Sequence, residues 1–160
     1  MIIEPLNSSH HRSAFDCGVP SLNRYIQEQA GQHAKKDITR TYVAVEENAA
    51  DVVGYYSLCA GSISFAIVPE NLPHHPIPIV LLARLALDES VQGQGLGKLL
   101  LLDALTTVIS VANQMGVYAM AVDALNQPAF DFYLRYGFKS LSDDQFHLYL
   151  PTKTIRKLIP

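Results

Sequence analysis

The chain has 160 residues, of which 49% are hydrophobic and 17% charged, and its formal net charge is −3. This length suits a single domain over 1–160 with one substantial core, and the composition excludes a disordered chain. The slight negative charge excludes a global electrostatic attraction to nucleic acid, so any basic surface has to be local. Two cysteines, Cys17 and Cys59, cannot form a disulfide framework, and free thiols favour a reducing cytoplasm. We expect neither a signal peptide nor a membrane span.

The first half of the chain is predicted to contain an edge strand, a helix, a hairpin and a loop: Met1–Glu4, Pro20 to about Ala34, Thr41–Val45 with Asp51–Ala60, and Ala66–Pro78. The helix starts at a proline, which the first helical position tolerates, and its apolar residues recur on one face. The hairpin strands are rich in β-branched and aromatic residues, and Ile63–Ala66 can prolong the second strand. Four prolines keep the loop out of regular strand pairing.

The second half is predicted to alternate strands and helices: Val80–Leu87, Gly95 to about Met115, Val117–Asp123, Asn126 to about Tyr136, and a closing hairpin of Phe138–Leu141 with Gln145–Leu150. The first of these strands is almost wholly apolar, as expected of a strand covered on both faces. The element order predicts a mixed α/β fold around a central sheet. We expect a ligand where the strand before Gln92 and the strand ending at Asp123 diverge.

A glycine-rich turn joins the apolar strand to the next helix, with the residues Gln92, Gly93, Gln94, Gly95, Leu96, Gly97 and Lys98. Such a turn can hold a phosphorylated ligand, because the free N–H groups of the helix start point outward and glycines allow close approach. The Walker pattern fails, because its first glycine falls at Gln92 and its hydroxyl position at Leu99. The dinucleotide pattern fails because Lys98 occupies the position of the third glycine.

Two segments resemble the GNAT N-acetyltransferase superfamily. Gln92, Gly95 and Gly97 match its acyl-CoA pyrophosphate loop, and residues 129–138 match its pattern Ala-x-x-Phe-Tyr-x-x-x-Gly-Phe. The resemblance implies a GNAT fold, with a central mixed, mostly antiparallel twisted sheet of six to seven strands, about four flanking helices, and strands four and five splayed to hold acyl-CoA. It also implies that Tyr133 protonates the departing thiolate, a role that suits a phenol with a pKa of about 10.

The same resemblance implies acetyl-CoA as the co-substrate, no metal, and a set of cofactor-binding residues: Leu85, Ala86, Leu87, Gln92, Gly93, Gln94, Gly95, Leu96, Gly97, Lys98, Asn126, Phe132 and Tyr133. Backbone groups at Leu85 and Leu87 would contact pantetheine, while their side chains belong in the core. Asn126 can bind pantetheine or cap its helix, and the cap is the simpler explanation. Packing alone can also explain an aromatic residue at position 133.

A third segment narrows the resemblance to one group of GNAT proteins. "FDCGVPSLNRYIQEQA", Phe15 to Ala30, and the following "TRTYVAV" resemble the N-terminal signature of GNAT toxins from type II toxin–antitoxin pairs, and "LPTKTI" does so near the end. The resemblance covers nearly the whole chain. It implies acetylation of the α-amino group of aminoacyl-tRNA, a ribbon-helix-helix antitoxin, a homodimer and no membrane association. The alternatives are an acetyltransferase of a small amine or protein amino group and, less favoured, a non-catalytic acyl-CoA-binding regulator.

No general base stands out in the sequence. The candidate carboxylates Glu46, Glu47, Glu70 and Asp88 lie at turns, where solvated acidic side chains are usual. The adjacent pairs His10-His11 and His74-His75 lack metal-site spacing and are expected to face solvent, although the second pair can border the acceptor.

Basic residues are distributed along the chain: Lys35, Lys36, Arg40, Arg84, Lys98, Arg135, Lys139, Lys153, Arg156 and Lys157. If several of these residues lie close together around the acetyl end of the cleft, they can neutralise tRNA phosphates; otherwise they form an ordinary solvated surface. The basic C-terminal segment is also a possible docking site for an antitoxin.

Overall fold

A computed structural model describes residues 1–159. The strands are β1 (Ile2–Pro5), β2 (Arg40–Val45), β3 (Val52–Ile63), β4 (Ile77–Leu87), β5 (Ala119–Asp123), β6 (Lys139–Ser140) and β7 (His147–Pro151). The helices are α1, built from Pro20–Arg24, a π-helical segment Tyr25–Gln29 and Ala30–Lys35, then α2 (Leu96–Ala112), α3 (Gln127–Arg135) and α4 (Thr152–Leu158). Short 3₁₀ turns lie at Phe65–Ile67 and Glu89–Val91. Within the described residues, no helix is both long enough and apolar enough to cross a bilayer.

The strands form one seven-stranded sheet in the order β1-β2-β3-β4-β5-β7-β6. β1 with β2, β2 with β3, β5 with β7 and β6 with β7 are antiparallel, whereas β4 and β5 are parallel. The parallel pairing joins Ile79–Leu81 to Ala119–Ala121. This mixed, mostly antiparallel sheet with its helices confirms the predicted fold class. The splay of the fourth and fifth strands stays a prediction.

One compact unit consists of Met1–Cys59 and Ala83–Ala104. Its core packs side chains of α1 against β2, β3 and the end of β4, and includes Phe15, Tyr25, Ile26 and Tyr55. Tyr25 and Ile26 are wholly buried, so the apolar face predicted for α1 is the face that packs on the sheet. Each large apolar side chain buried in this way contributes about 1.5–3 kcal/mol of transfer free energy.

The other unit consists of Ala60–Leu82 and the chain from Leu105 onward. Its core contains residues of the proline-rich loop, β4, β5 and β7, among them Val68, Ile79 and Ala121. The loop is anchored by Glu70, whose carboxylate accepts hydrogen bonds from the hydroxyls of Tyr118 and, at 2.7 Å, Tyr149. The prediction of a solvated Glu70 is therefore wrong.

The balance of effects on Glu70 explains why it stays ionised in this half-buried position. Burial raises its pKa, but the two tyrosine hydrogen bonds and Lys139, whose Nζ lies 3.9 Å away, outweigh burial and leave the pKa below its ordinary value. The charged carboxylate is thus the stable form at neutral pH, and it holds the loop against two neighbouring segments.

Several predicted boundaries change in the structure. β3 continues through Gly61 and ends at Ile63, because Ser64 caps the 3₁₀ turn Phe65–Ile67 by accepting a hydrogen bond from the Ala66 N–H. β4 begins earlier than predicted, at Ile77, and β6 is shorter, at Lys139–Ser140. The basic C-terminal segment forms α4, and Pro160 at its end lies outside the described residues.

His10 also departs from the sequence-based expectation. Its side chain is buried, its Nε2 lies 2.7 Å from Glu4 Oε1, and its Nδ1 accepts a hydrogen bond from the Asn7 N–H at 3.0 Å. The prediction that it faces solvent is therefore wrong. The neighbouring His11 is exposed, as expected.

Candidate active site

The turn between β4 and α2 opens its glycines outward. Gly93 and Gly95 have φ angles of +78° and +80°, in the left-handed region that favours glycine. A Cβ added to either would meet no protein atom within 4 Å, so the backbone conformation, and not lack of space, requires glycine. Beyond them α2 begins at Leu96, and its first N–H groups and its dipole provide a site for negative charge. The turn therefore has the open, positively polarised backbone that a pyrophosphate needs.

Gln92 holds the start of the turn with its side chain. Its amide donates to the Leu87 carbonyl at 2.8 Å and to the Cys17 carbonyl at 3.2 Å. The first bond closes the turn on the end of β4, and the second attaches it to the segment before α1. The side chain thus supports the backbone conformation of the turn from behind.

Asp88 is a capping residue and not a solvated carboxylate. Its Oδ1 accepts hydrogen bonds from the Ser90 N–H at 3.0 Å and the Ser90 hydroxyl at 2.7 Å, and its Oδ2 accepts from the Asp16 N–H at 3.0 Å. Burial raises the pKa of Asp88, but these three bonds outweigh it and leave the pKa below its ordinary value. The expectation of a solvated Asp88 is wrong, and its occupied oxygens make it unsuitable as a general base.

The segment that carries the N-terminal signature is connected to this turn. The Glu89 N–H donates to the Asp16 carbonyl at 2.8 Å, and the Asp16 N–H donates to the Asp88 carboxylate, so the two segments are joined in both directions. Asp16 Oδ1 in turn accepts from the Gly18 N–H at 2.9 Å and from Asn23 Nδ2 at 3.0 Å, while Asn23 Oδ1 accepts from the Cys17 N–H at 2.8 Å. Asn23 therefore closes the loop around Asp16 and Cys17, and this loop contacts the glycine turn.

Gly18 is required by its backbone conformation, since the nearest atom to an added Cβ is the end of the exposed, flexible Glu89 side chain. Its φ is +87°, and a Cβ there would lie 2.7 Å from Glu89 Oε1. These contacts give Gly18 and Asn23 of the N-terminal segment a structural role beside the turn. Sequence reasoning assigned the signature to the acceptor side and missed its role in supporting the turn.

The end of β4 alternates between two environments. Ala86 is buried in the core with α1, and Leu85 and Leu87 are half-buried. A Cβ added to Gly54 would lie 2.9 Å from Leu87 Cδ2 and 3.1 Å from Leu100 Cδ1, so Leu87 packs on the face that α2 covers. The Leu87 side chain thus belongs to the core, as expected, whereas a backbone role for these residues stays a prediction.

Tyr133 is a buried ring with an accessible hydroxyl. Its side chain is 6% exposed and packs edge-to-face against Phe132 at 5.2 Å and Phe138 at 5.3 Å between ring centroids. Its hydroxyl has no hydrogen-bond partner among residues 1–159. Every side-chain N or O atom in this range that is fully shielded from solvent does have a partner, so the Tyr133 hydroxyl is not fully shielded. The hydroxyl therefore keeps some contact with solvent. Burial raises the pKa of Tyr133, so the phenol stays protonated at neutral pH.

Asn126 caps α3, since its Oδ1 accepts a hydrogen bond from the Ala129 N–H at 3.0 Å. This is the explanation that the sequence favoured. Its side-chain amide nitrogen remains a donor for a ligand.

The candidate basic residues have different surroundings. Arg40 pairs with Asp37 at 2.6 Å, and Arg156 donates to Asn113 at 2.8 Å. Arg84 lies face-on over the Tyr25 ring, with its guanidinium carbon 3.5 Å from the centroid. The remaining candidates are mostly exposed: Lys35, Lys36, Lys98, Arg135, Lys139, Lys153 and Lys157.

Sequence reasoning singled out neither the Arg84–Tyr25 pair nor the π-helical segment beneath it. The available signal was the one charged residue in the otherwise apolar stretch Val80–Leu87. Of the second histidine pair, His74 stacks on Phe65 at 4.3 Å and His75 is exposed. Within residues 1–159, no group of three or more His, Cys, Asp or Glu side chains is placed to hold a metal ion.

Residues 37–140 match the Acetyltransferase (GNAT) domain family. Over 171 aligned residues the chain is 32% identical to a probable toxin TacT of Sinorhizobium fredii, covering 99% of this chain and 94% of that protein. Over 151 residues it is 36% identical to a tRNA-acetylating toxin of Mycobacterium tuberculosis, covering 92% and 89% of the two chains.

Solved structures extend this similarity to three dimensions. AtaT complexed with acetyl-methionyl-tRNAfMet gives a TM-score of 0.92 at 33% identity and covers 99% of both chains. A tyrosine-to-phenylalanine mutant of the AtaT toxin, bound to the C-terminus of the antitoxin AtaR and to acetyl-CoA, gives 0.87 at 32% identity, covering 98% of this chain and 96% of that one. The similarity therefore includes the segment before residue 37, where the N-terminal signature lies.

Proposed function

Because this chain belongs to the GNAT family of acetyltransferases, we propose that it transfers an acetyl group from acetyl-CoA to the α-amino group of an aminoacyl-tRNA and so blocks translation as a toxin. The observation that carries the proposal is the extent of the similarity to tRNA-acetylating toxins, which covers nearly the whole chain. It takes in Phe15–Ala30, a segment outside the matched acetyltransferase domain. Similarity confined to the GNAT core would support acetyl transfer but would not identify the acceptor.

We propose that residues 92–98 bind the pyrophosphate of acetyl-CoA. The left-handed Gly93 and Gly95, the open space around them and the start of α2 support this role. Leu85, Ala86 and Leu87 would contact the pantetheine arm through backbone groups, and Asn126 and Phe132 would contact it from α3. These contacts hold the thioester carbonyl in place for attack.

The reaction needs one new bond, one broken bond and two proton movements. The neutral α-amine attacks the thioester carbonyl carbon, so that a C–N bond forms and the C–S bond breaks. Tyr133 donates its phenolic proton to the departing thiolate, and the nitrogen loses its extra proton to water. The tyrosinate then takes a proton back from water, which its raised pKa favours, and the enzyme returns to its starting state.

The amine requires no dedicated side-chain base in this proposal. Asp88 and Glu70, two carboxylates that the sequence suggested, are occupied by hydrogen bonds within the fold. An aminoacyl ester amine is less basic than a lysine side chain, so a sizeable neutral fraction exists near neutral pH. Ordered water can then accept the proton.

The direct test supplies purified protein with radiolabelled acetyl-CoA and four acceptors: aminoacyl-tRNA, the same tRNA uncharged, a polyamine and a peptide with a free N-terminus. We expect label on the charged tRNA, on its amino acid after alkaline hydrolysis. Label on the polyamine or peptide alone would replace this proposal with the small-amine or protein-amine alternative. Binding of acetyl-CoA without transfer to any acceptor would favour the non-catalytic regulator.

We further propose a ribbon-helix-helix antitoxin as the neutralising partner, a homodimer as the working form, and the cytoplasm, where charged tRNA is found, as the place of action. The antitoxin-bound AtaT structure supports a protein inhibitor, and residues 1–160 would act as one GNAT domain. Light scattering of the purified chain tests the dimer. Co-expression with the product of the neighbouring gene tests the inhibitor, because a ribbon-helix-helix antitoxin should restore growth.

A further inference from the structure

Arg84 carries a charge that the fold leaves without a partner. It is the one charged residue in β4 and is half-buried. Among residues 1–159 its guanidinium forms no ion pair and donates no hydrogen bond, and it lies against the face of the Tyr25 ring. A guanidinium has five N–H donors, and none of the Arg84 nitrogens is both shielded from solvent and unpartnered. These donors are therefore free to bind an acceptor that a ligand supplies.

The ring beneath Arg84 is held rigidly. Tyr25 is wholly buried, its hydroxyl lies 2.7 Å from Thr39 Oγ1, and His33 Nδ1 lies 3.2 Å from the same oxygen. Tyr25 also begins the π-helical segment of α1, where Arg12 donates to the Ile26 carbonyl at 3.2 Å. π-helical segments inside α-helices are frequent at functional sites. The ring is thus a fixed support that sets the plane of the guanidinium.

Arg84 lies on the opposite face of the sheet from the helix that follows the glycine turn. Side chains alternate along a strand, so Arg84 shares a face with Ala86, which packs in the core with α1. Leu87 points to the opposite face, where it lies beside Gly54 together with Leu100 of α2. Arg84 is therefore on the α1 face, and the helix that starts at the pyrophosphate turn covers the other face. The guanidinium therefore lies on the opposite face of the sheet from α2.

We propose that Arg84 binds a backbone phosphate at the single-stranded 3′ end of the acceptor tRNA and so positions the aminoacyl amine; this inference rests on the proposed function. Arg84 immediately precedes Leu85, one of the residues that would hold the acetyl-bearing arm. Phosphates near the reacting amine are those of the last nucleotides, because the amino acid is esterified to the terminal ribose. A planar guanidinium suits bidentate contact with phosphate oxygens.

Steady-state kinetics of Arg84→Gln test the proposal against the wild-type enzyme. We expect the KM for aminoacyl-tRNA to rise about tenfold or more, as the loss of a charge-assisted hydrogen bond predicts, with the KM for acetyl-CoA unchanged. The salt dependence of log kcat/KM should weaken by about 0.7 for one lost single-strand phosphate contact. Arg84→Lys keeps the charge but loses the planar pair of donors that contacts two phosphate oxygens, so its KM for aminoacyl-tRNA should lie between those of wild type and Arg84→Gln. A simple aminoacyl methyl ester, which has no phosphate, should show the same kcat/KM with both enzymes.

Arg24→Gln is the matched control, because it removes the same charge from an exposed position of α1. It should change the KM for tRNA by less than about twofold. Thermal unfolding and acetyl-CoA binding show whether each variant is folded. An equal effect of Arg24→Gln, an unchanged KM and salt slope in Arg84→Gln, or a raised KM for acetyl-CoA would each overturn the inference. The inference would also be overturned if Arg84→Gln left the kinetics with tRNA unchanged and only weakened inhibition of the enzyme by an acidic protein partner. A wild-type enzyme that labels no charged tRNA would instead overturn the proposed function itself.

Discussion

The glycine turn proposed to bind pyrophosphate and the α1 face of β4 carry different polar groups. The turn offers neutral backbone N–H groups, which left-handed glycines and bracing side chains hold in place. The α1 face offers one full charge on a side chain, supported by a buried ring. Recognition through the backbone tolerates side-chain changes except those that alter backbone conformation. Recognition through Arg84 depends on a single residue, so the two substrates should respond to different substitutions.

The largest effect is expected at the chemical step, which both regions serve. Tyr133→Phe removes the proton donor and keeps the packed ring, so kcat should fall about 10²-fold or more while the Kd for acetyl-CoA stays unchanged. Stopped-flow turnover and calorimetric titration measure the two quantities separately. Because the pKa of Tyr133 is raised, wild-type activity should not fall from ionisation of this phenol at any pH below about 10. Full activity of the phenylalanine variant would remove Tyr133 from the mechanism.

A backbone change in the turn should affect only the donor. Gly95→Ala places a Cβ on a residue with φ of +80°, at a conformational cost of about 1–2 kcal/mol. The KM for acetyl-CoA should rise about tenfold, with the KM for the acceptor unchanged. Gly116→Ala is the control, since its Cβ would also meet open space but its φ is not positive. If both variants behave alike, the turn does not bind the donor as proposed.

Gly18→Ala tests the support of the turn from the N-terminal segment. The left-handed φ of +87° should destabilise the fold by about 1–2 kcal/mol, while the exposed Glu89 side chain can move away from the new methyl group. Urea unfolding measures this loss, and acetyl-CoA affinity should fall with it because the segment braces the turn. A destabilised variant that binds acetyl-CoA normally would show that the brace and the donor site are independent.

Asp88→Asn should have the smallest effect. The amide replaces one accepting oxygen with a donor, so one hydrogen bond is lost, at about 1 kcal/mol at pH 7. Because the folded pKa of Asp88 lies below its unfolded value of about 3.9, its ionised form stabilises the protein above that pH. The contribution disappears as the pH falls through the folded pKa. Urea unfolding at pH 7 and pH 3 should therefore show a smaller difference between wild type and Asp88→Asn at pH 3, and an equal difference would contradict this account.

Local chemistry made the turn predictable from sequence. Glycines at the left-handed positions, an asparagine at the start of α3 and a proline at the start of α1 each act through their own or adjacent backbone. The alternation of apolar segments likewise predicted the order of strands and helices and the fold class. All of these signals lie within a few residues of the feature that they indicate.

Long-range pairing made other features unpredictable. Asp88 and Glu70 sit at turns, but their partners Asp16 and Tyr149 are 72 and 79 residues away. The π-helical segment is hidden for a different reason, since one extra residue in a helix barely disturbs the apolar spacing. The burial of His10 depends on a carboxylate six residues earlier that only the folded chain brings close.

The connection between Asp16 and the turn also has a consequence for timing during synthesis. The two ends of that hydrogen bond are 72 residues apart, and contacts across such a separation form late because closing the intervening chain costs entropy. A nascent chain that has emerged only as far as β3 contains the whole N-terminal signature but nothing for it to brace. The support that this segment gives the turn is therefore completed only after Asp88 has been synthesised, and a prematurely terminated product that lacks Asp88 lacks the connection altogether.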